Sequence, residues 1–320
     1  MRFLVTGGCG FLGSTLVREL IKAGERPVVL DVAPVSPILE DVRGHFDYVR
    51  GSLTNLSFLL QCVREHSIEG VFHLGGMLSA PSEHNPWAAF DINVMGTYYV
   101  YEACRIADIK QVIYGSTIAT YSQDIQTDFI DDRTLQRPTS MYGTTKVFGE
   151  LLGRFYKRKF GLDFRAVRLP SVVGPGAKTA HMSIYNAWAI EYPLRGKPYR
   201  LPCDPETRCP VIYFKDATRC LLELSQAPRS QIKTVVYNIA GINPPFSAEE
   251  LVQQVRVRLP EANLSFHPDP LIVELLRELG RLRLSDESAR IEWGWSSHYT
   301  LTTMIEDFIE EFYQHPAWYA

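Results

Sequence analysis

The chain has no excess of basic residues. Its 33 lysines and arginines stand against 36 aspartates and glutamates, giving a formal charge of −3. Nothing here drives binding to a phosphate backbone, so no nucleic-acid partner is expected. Paired cysteines are missing too. Cys9, Cys62, Cys104, Cys203, Cys209 and Cys220 include no CxxC spacing and no neighbouring histidine cluster. That scatter argues against a zinc ribbon, and no metal site is expected. It suits small buried thiols in a reducing compartment, with Cys9 set apart inside a glycine loop. No apolar run reaches the roughly 18 residues that a membrane-spanning helix needs. The chain does not open on a charged segment followed by an apolar core. A cytoplasmic location without a membrane partner is the expectation. Internal repeats and low-complexity segments are also lacking.

What is present is enough apolar material for a sizeable core: 320 residues, 46% of them hydrophobic. That length suits one large or two unequal units. Short β-rich runs occur at Arg2–Thr6, Pro27–Asp31, Phe46–Arg50, Gly70–Leu74, Gln111–Gly115, Phe164–Leu169 and Val235–Ile239. Between them lie stretches such as FLGSTLVRELIKA, with apolar residues at three- and four-residue spacing. This alternation predicts a parallel sheet with helices on both faces and ligands at the strands' C-terminal ends. After Ser171 the pattern breaks into a segment rich in proline, glycine and aromatics. The expected organisation is a cofactor unit over 1–170 plus about 211–240. A smaller lobe over 171–210 plus 241–320 would cover its ligand edge.

The glycines of TGGCGFLG join the first strand to the first helix. A helix start has bare N–H groups and the positive end of its dipole, which together favour a phosphate. Gly7 and Gly10 keep side chains away from a pyrophosphate, and Gly13 lets the helix approach the sheet. The spacing is GxxGxxG, which a tight strand–helix turn also produces. Asp31 ends the second strand 18 residues after Gly13. A carboxylate there accepts from ribose hydroxyls and repels a 2′-phosphate, so NAD is expected rather than NADP.

Tyr142 and Lys146 of YGTTK stand at i and i+4, on one face of a helix that Thr139 or Ser140 can cap. An ammonium beside a phenol favours phenolate. Bringing a tyrosine from pKa ~10 to ~7 takes roughly 4 kcal/mol, which the lysine and a nicotinamide cation together can supply. Tyr142 would then move a proton to or from an alcohol or ketone. An ordinary helical surface pair has the same spacing. Ser116 and Thr117 fall just past a strand end, with Thr117 25 residues before Tyr142. Thr117 can hold a substrate oxygen as charge develops on it, or simply cap a turn.

Together these stretches resemble the extended short-chain dehydrogenase/reductase family, also known as the NAD-dependent epimerase/dehydratase family. The matching pieces are TGGCGFLG, Asp31, VFHLGG (71–76), INVMGT (92–97), GSTIATYS (115–122), YGTTKVFGE (142–150) and RLPSVVGPG (168–176). The resemblance implies a Rossmann-like α/β fold: a doubly wound parallel sheet with a smaller C-terminal substrate lobe. It implies hydride transfer with NAD, and Thr117, Tyr142 and Lys146 as the reacting group, with Asn93 ordering a relay water. Cofactor contacts would come from Gly7, Gly10, Phe11, Leu12, Gly13, Asp31, Ser52, Leu53, Leu74, Gly75, Gly76, Ser116, Tyr142, Lys146 and Pro170. The family often has an aspartate where GSLTN places Ser52, so an adenine acceptor is lost while Leu53 can still pack there.

The substrate signal divides. Nucleotide-sugar epimerases and dehydratases carry an asparagine where Ser171 stands and an arginine where Cys209 stands, with Arg208 shifted by one. MLSAPSEHNPWAAFDIN (77–93), VVYNIAG (235–241) and SDESARIEWGW (285–295) instead resemble the short-chain L-threonine dehydrogenase subgroup. In that subgroup a glycine- and threonine-rich loop forms the pocket floor, where this chain reads GPGAKTAHM. A threonine-like hydroxy amino acid and a sugar or hydroxy acid therefore both remain open. The candidate substrate contacts are Ser79, Thr117, Tyr142, Ser171, Lys178, Thr179, His181 and Arg208, with Lys178, His181 and Arg208 able to take a carboxylate. Tyr185, Trp188 and Tyr199 are expected to pack in the core or lid, and Trp293 and Trp295 to anchor the lobe. His73 is expected to be a packed histidine satisfied by backbone. The basic run RFYKRKF (154–160) reads as a wet helix face interleaved with buried aromatics. The family commonly pairs through two helices, here about 86–107 and 140–160, which implies a homodimer.

Overall fold

The computed structural model describes residues 1–121, 125, 127–178 and 181–319. Thirteen strands occur among them: β1 (Phe3–Thr6), β2 (Val28–Asp31), β3 (Asp47–Arg50), β4 (Gly70–His73), β5 (Gln111–Thr117), β6 (Phe129–Ile130), β7 (Asp163–Leu169), β8 (Ser171–Val173), β9 (Tyr199–Leu201), β10 (Val211–Tyr213), β11 (Val236–Asn238), β12 (Leu264–Phe266) and β13 (Arg283–Leu284). Seven of them form one parallel sheet in the order β11-β7-β5-β4-β1-β2-β3. All seven expected strands are in it. The order reverses between β1 and β4, which opens a crevice at their C-terminal ends. The other strands pair two by two, β10 with β8, β12 with β9 and β13 with β6. These pairs are only two or three residues long, too short for the sequence pattern to reveal.

The helices are α1 (Phe11–Lys22), α2 (Leu56–Glu65), α3 (Ser79–His84), α4 (Pro86–Ala89), α5 (Gly96–Ile106), α6 (Met141–Phe160), α7 (Tyr185–Leu194), α8 (Phe214–Gln226), α9 (Ala248–Arg258), α10 (Pro270–Gly280), α11 (Glu287–Trp293) and α12 (Leu301–Gln314). Both faces of the parallel sheet are covered, so its central strands are buried, while the edge strand β3 is only partly so. β1 and β4 are buried at every residue. One face packs Leu16, Val17 and Leu20 of α1 with Cys220, Leu221 and Leu224 of α8. The other packs Leu59 and Val63 of α2, Val100 and Tyr101 of α5 and Tyr156 of α6. A third core joins α7, α9 and α12, with Ile190, Leu251, Val255 and Phe308 at its centre.

Tyr185 and Tyr199 are buried in that third core, and Trp188 packs against it. Trp295 is buried and Trp293 half-buried, but both pack against the sheet-side core of Leu221 and Tyr237, not within the lobe. They tie the segment between α11 and α12 to the sheet. In the basic run, Tyr156 is buried while Phe155 and Phe160 are 43% and 45% exposed. That corrects the expectation of buried aromatics on this face. No helix among the described residues is long and apolar enough to cross a membrane.

Candidate active site

The glycine loop sits at the crevice. Gly7 has φ +68°, and a β-carbon there would meet the Gly75 backbone at 2.8 Å. A β-carbon on Gly13 would lie 2.1 Å from the Gly7 carbonyl oxygen. Gly13 therefore lets α1 close onto the loop itself, a tighter fit than the approach to the sheet expected from sequence. Gly10 precedes the helix and has only the Gly7 oxygen near its missing β-carbon, at 3.2 Å. No side chain caps α1 and no acid lies in its first turn. The amides of its first turn are thus left to an anion. Phe11 turns toward the lobe, its ring 5.8 Å from Phe214, while Leu12 packs toward the sheet core.

Asp31 closes the other side of the loop. Its carboxylate accepts from the Cys9 and Ala33 amides, both at 3.0 Å, and keeps further lone pairs for hydroxyl donors. Burial, and then the Asp31 charge, push the Cys9 thiol up to about 11. Ser52 holds the Thr54 amide and hydroxyl, and Leu53 is buried beneath Gly75 and Gly96. The loop after β4 runs through Leu74, Gly75 and Gly76. Thr6 Oγ1 accepts the Gly75 amide at 3.1 Å. Thr6 also contacts His73 Nδ1 at 2.7 Å, and His73 Nε2 meets Thr97 Oγ1 at 3.0 Å. His73 is packed as expected, but two threonine hydroxyls satisfy it instead of backbone. Burial, with the Lys146 charge behind it, pulls its pKa down to about 3, so the ring is neutral. The glycine cradle, the uncapped helix start and the Asp31 carboxylate fit a dinucleotide.

Ser140 caps α6 by accepting the Gly143 amide at 3.0 Å, and Glu83 accepts the Met141 amide at 2.6 Å. Tyr142 and Lys146 then fall on one face. Lys146 is buried, donates to the Gly115 carbonyl at 2.8 Å, and lies 5.7 Å from the Tyr142 ring centre and 4.7 Å from that of Tyr114. Burial pulls Lys146 down to about 8, opposed by the Glu150 charge, and pushes half-buried Tyr142 up to about 12. Burial thus works against phenolate at Tyr142, and Lys146 alone does not reverse it. Thr117 Oγ1 accepts the Ala119 amide at 3.1 Å, capping a short turn. That use leaves its own O–H to donate. The structure shows Thr117 capping a turn, with its O–H still able to donate.

Three expected contacts lie elsewhere. Ser116 donates its hydroxyl to Glu150 in the core, so its side chain faces away from the ligand edge. The Asn93 amide is taken up by the protein: Oδ1 accepts from the Met77 amide at 2.7 Å, and Nδ2 donates to the Met77 carbonyl at 3.0 Å and Thr145 Oγ1 at 3.2 Å. It sits in a π-helical turn, Phe90–Met95, and staples the loop after β4 to α6. Arg208 donates to the Pro245 carbonyl and to Glu250 at 3.2 Å, lining a separate groove with Asn243 and Arg283.

Pro170 is buried directly after β7, and Ser171 follows it, half-buried, as the first residue of β8. Ser171 accepts from Ser183 Oγ at 2.8 Å, and Ser183 meets His181 Nδ1 at 3.1 Å. Burial lowers the His181 pKa. Lys178 is exposed, Ser79 opens α3 half-buried, and Thr179 lies outside the described residues. The sequence reading missed Ser183 and the buried pair of Glu150 with Arg168, joined at 2.7 Å beside Tyr121 and Gln136. Glu150 stands one turn beyond Lys146, which is the signal that could have found it.

A family model described as "NAD dependent epimerase/dehydratase family" matches residues 3–240. Bovine (Bos taurus) mitochondrial L-threonine 3-dehydrogenase is 29% identical over 309 residues, spanning 95% of this chain and 80% of the relative. The solved GalE-like L-threonine dehydrogenase of Cupriavidus necator, in its holo form, superposes with a TM-score of 0.89 at 26% identity, covering 98% of this chain and 100% of that one. A monomeric L-threonine 3-dehydrogenase from a metagenome superposes with a TM-score of 0.88, also at 26% identity, covering 98% and 99%. With three-quarters of its length matched and the crevice built for a dinucleotide, the chain belongs to the NAD-dependent epimerase/dehydratase family as an NAD-using enzyme of the extended short-chain dehydrogenase/reductase type.

Proposed function

We propose that the chain oxidises the secondary alcohol of a small hydroxy acid. L-threonine is the first candidate, and other hydroxy amino acids, hydroxy acids and sugar acids belong to the same class. The orientation of Arg208 carries this choice. It is the nearest match to the arginine that grips a nucleotide-sugar diphosphate in the family, and it is turned to Pro245 and Glu250. Ser171, linked to Ser183 and His181, offers hydrogen bonds to a small polar substrate. The similarity to L-threonine dehydrogenases over nearly the whole chain supports the same reading.

When bound, NAD supplies the hydride acceptor. Thr117 donates its O–H to the substrate oxygen and holds it in place. As hydride leaves the carbinol carbon, Tyr142 takes the hydroxyl proton, and the C–O bond becomes a carbonyl. The Lys146 ammonium, fixed on the Gly115 carbonyl, stabilises the phenolate before and during that transfer. The reaction balances as alcohol plus NAD⁺ giving ketone, NADH and one proton.

The exposed apolar residues Trp87, Phe90 and Tyr98 on the 86–106 helices, with Phe148, Leu151 and Phe155 on α6, support pairing with a second copy.

A panel of L-threonine, other hydroxy amino acids, hydroxy acids and sugar acids tests the substrate, with NADH absorbance as the readout. Sustained NADH growth with one of them is the expected result. Retention of NAD through turnover of a nucleotide sugar, with no net NADH, would replace the reading with an epimerase.

A further inference from the structure

Residues 174–177 follow β8 and lead to Lys178, on the stretch that carries the expected substrate contacts. They are gripped from two sides. A β-carbon on Gly174 would meet Phe11 at 2.7 Å and Phe214 at 2.6 Å, so this glycine is wedged against the first residue of the cofactor helix. A β-carbon on Gly176, at φ +80°, would meet the Tyr319 ring at 2.7 Å. A closed polar circuit reinforces the second contact. The Gly176 amide donates to Glu191 Oε2 at 2.9 Å. Arg195 donates to Glu191 Oε1 at 2.9 and 2.7 Å and also to the Tyr319 carbonyl. Tyr319 is 2% exposed and donates its hydroxyl to Glu311 at 2.9 Å. Its neighbour Trp318 stacks on His315 at 3.6 Å and lies under Arg18 of α1 at 4.1 Å. The residues after α12 therefore touch both the cofactor helix and the substrate loop, across a cavity of about 490 Å³ lined by Thr15, Arg18, Lys215 and Glu311.

We infer that Trp318 and Tyr319 form a strap that sets the position of the 174–177 loop relative to the cofactor helix, with Tyr319 as a positioning residue for substrate binding. The kinetic part rests on the proposed function; the mechanical part does not. Without the ring, Gly176 loses that contact, keeps its hydrogen bond to Glu191, and its left-handed backbone is free to relax. The loop then samples positions in which Ser171 and its hydrogen-bonded neighbours no longer meet the substrate together.

The test is amide hydrogen exchange of the peptide spanning 172–178 in the full-length protein, for wild type, Tyr319→Ala and Tyr319→Phe. In Tyr319→Ala, exchange at 172–178 is expected to quicken at least about tenfold, while β1, β4 and β5 stay protected. Tyr319→Phe keeps the ring and the main-chain carbonyl, and stays within about twofold of wild type. With L-threonine as the probe, KM is expected to rise about fivefold or more in Tyr319→Ala, with kcat and NAD affinity within about twofold. Should Tyr319→Ala fold poorly, Gly176→Ala reaches the same contact from the loop side and is expected to quicken exchange at 315–319. Unchanged exchange at 172–178, or an equal rise in the central strands, overturns the strap. If the wild-type protein does not oxidise L-threonine, the substrate reading fails alone and the exchange result still decides.

Discussion

At the scale of single residues, the proposed chemistry rests on two groups that burial moves in opposite directions. Tyr142 is pushed up to about 12 and Lys146 is pulled down to about 8, in each case by burial. Replacing Tyr142 with Phe removes the proton acceptor and keeps the ring. We expect kcat to fall about 10²–10⁴-fold while NAD still binds, as measured by calorimetry. The pH profile follows from the same shifts. Oxidation needs phenolate, so kcat/KM for oxidation rises with pH from neutrality. Lys146 loses its charge above about 8, and the rise flattens there. Ketone reduction needs the protonated phenol, which a pKa of about 12 preserves over that range, so it stays nearly level there. Profiles measured in both directions check the sign.

His73 makes a different kind of residue-level demand. It is buried neutral between Thr6 and Thr97, with its pKa pulled down to about 3 from 6.5 by burial and then by Lys146. Below 6.5 the unfolded chain binds a proton that the folded one refuses. Stability is therefore complete above 6.5 and declines as the pH drops toward 3. The melting temperature of the wild type should fall through that window, more steeply than that of a His73→Gln variant.

At the scale of elements, β1, the glycine loop and α1 act as one unit. The loop is short, and the uncapped helix start, rather than a set of side chains, offers donors to an anion. The two glycines nearest the helix start are not equivalent. A methyl group on Gly13 would press on the Gly7 carbonyl at 2.1 Å, where backbone must move; on Gly10 it meets the same oxygen at 3.2 Å. Gly13→Ala should raise the NAD dissociation constant more than about tenfold, a loss of about 1.4 kcal/mol or more. Gly10→Ala should cost less. Calorimetric titration with NAD orders the two. Helix α6 is a second such unit. Its Ser140 cap fixes where the helix begins, and the cap together with the 3.6-residue turn fixes where Tyr142, Lys146 and Glu150 point.

At the scale of the whole molecule, the sheet supplies a rigid edge and the segments after residue 171 pack beside it as a separate core. Trp293 and Trp295 pack onto the sheet side, so the lobe is tied down through its last third. The proposed pairing through α4–α6 is a property of this scale as well. Leu151 is 60% exposed on α6. A Leu151→Glu variant should shift a dimer to monomer in light scattering behind size exclusion, with little change in melting temperature. A wild type that is already monomeric would remove the dimer, as in the metagenomic relative described as monomeric.

The sequence by itself determined the seven sheet strands, the glycine loop against α1, the Asp31 strand end and the Tyr142–Lys146 face. Each is a local pattern: a run of β-formers, a glycine spacing, a capped helix with its fixed turn. Backbone geometry within a few residues sets those directions, so they can be read without neighbours. Only the tertiary structure decided that Arg208 serves Glu250, that Ser116 faces Glu150, that His73 is held by threonines and that Tyr319 presses on Gly176. A long or flexible side chain takes its direction from whichever partner packing brings within reach. Those partners lie far along the chain; Thr6 and His73 are 67 residues apart. The physical reason is that hydrogen-bond and charge pairing act over a few ångströms of space, and sequence distance carries no record of which distant segments the folded sheet brings together.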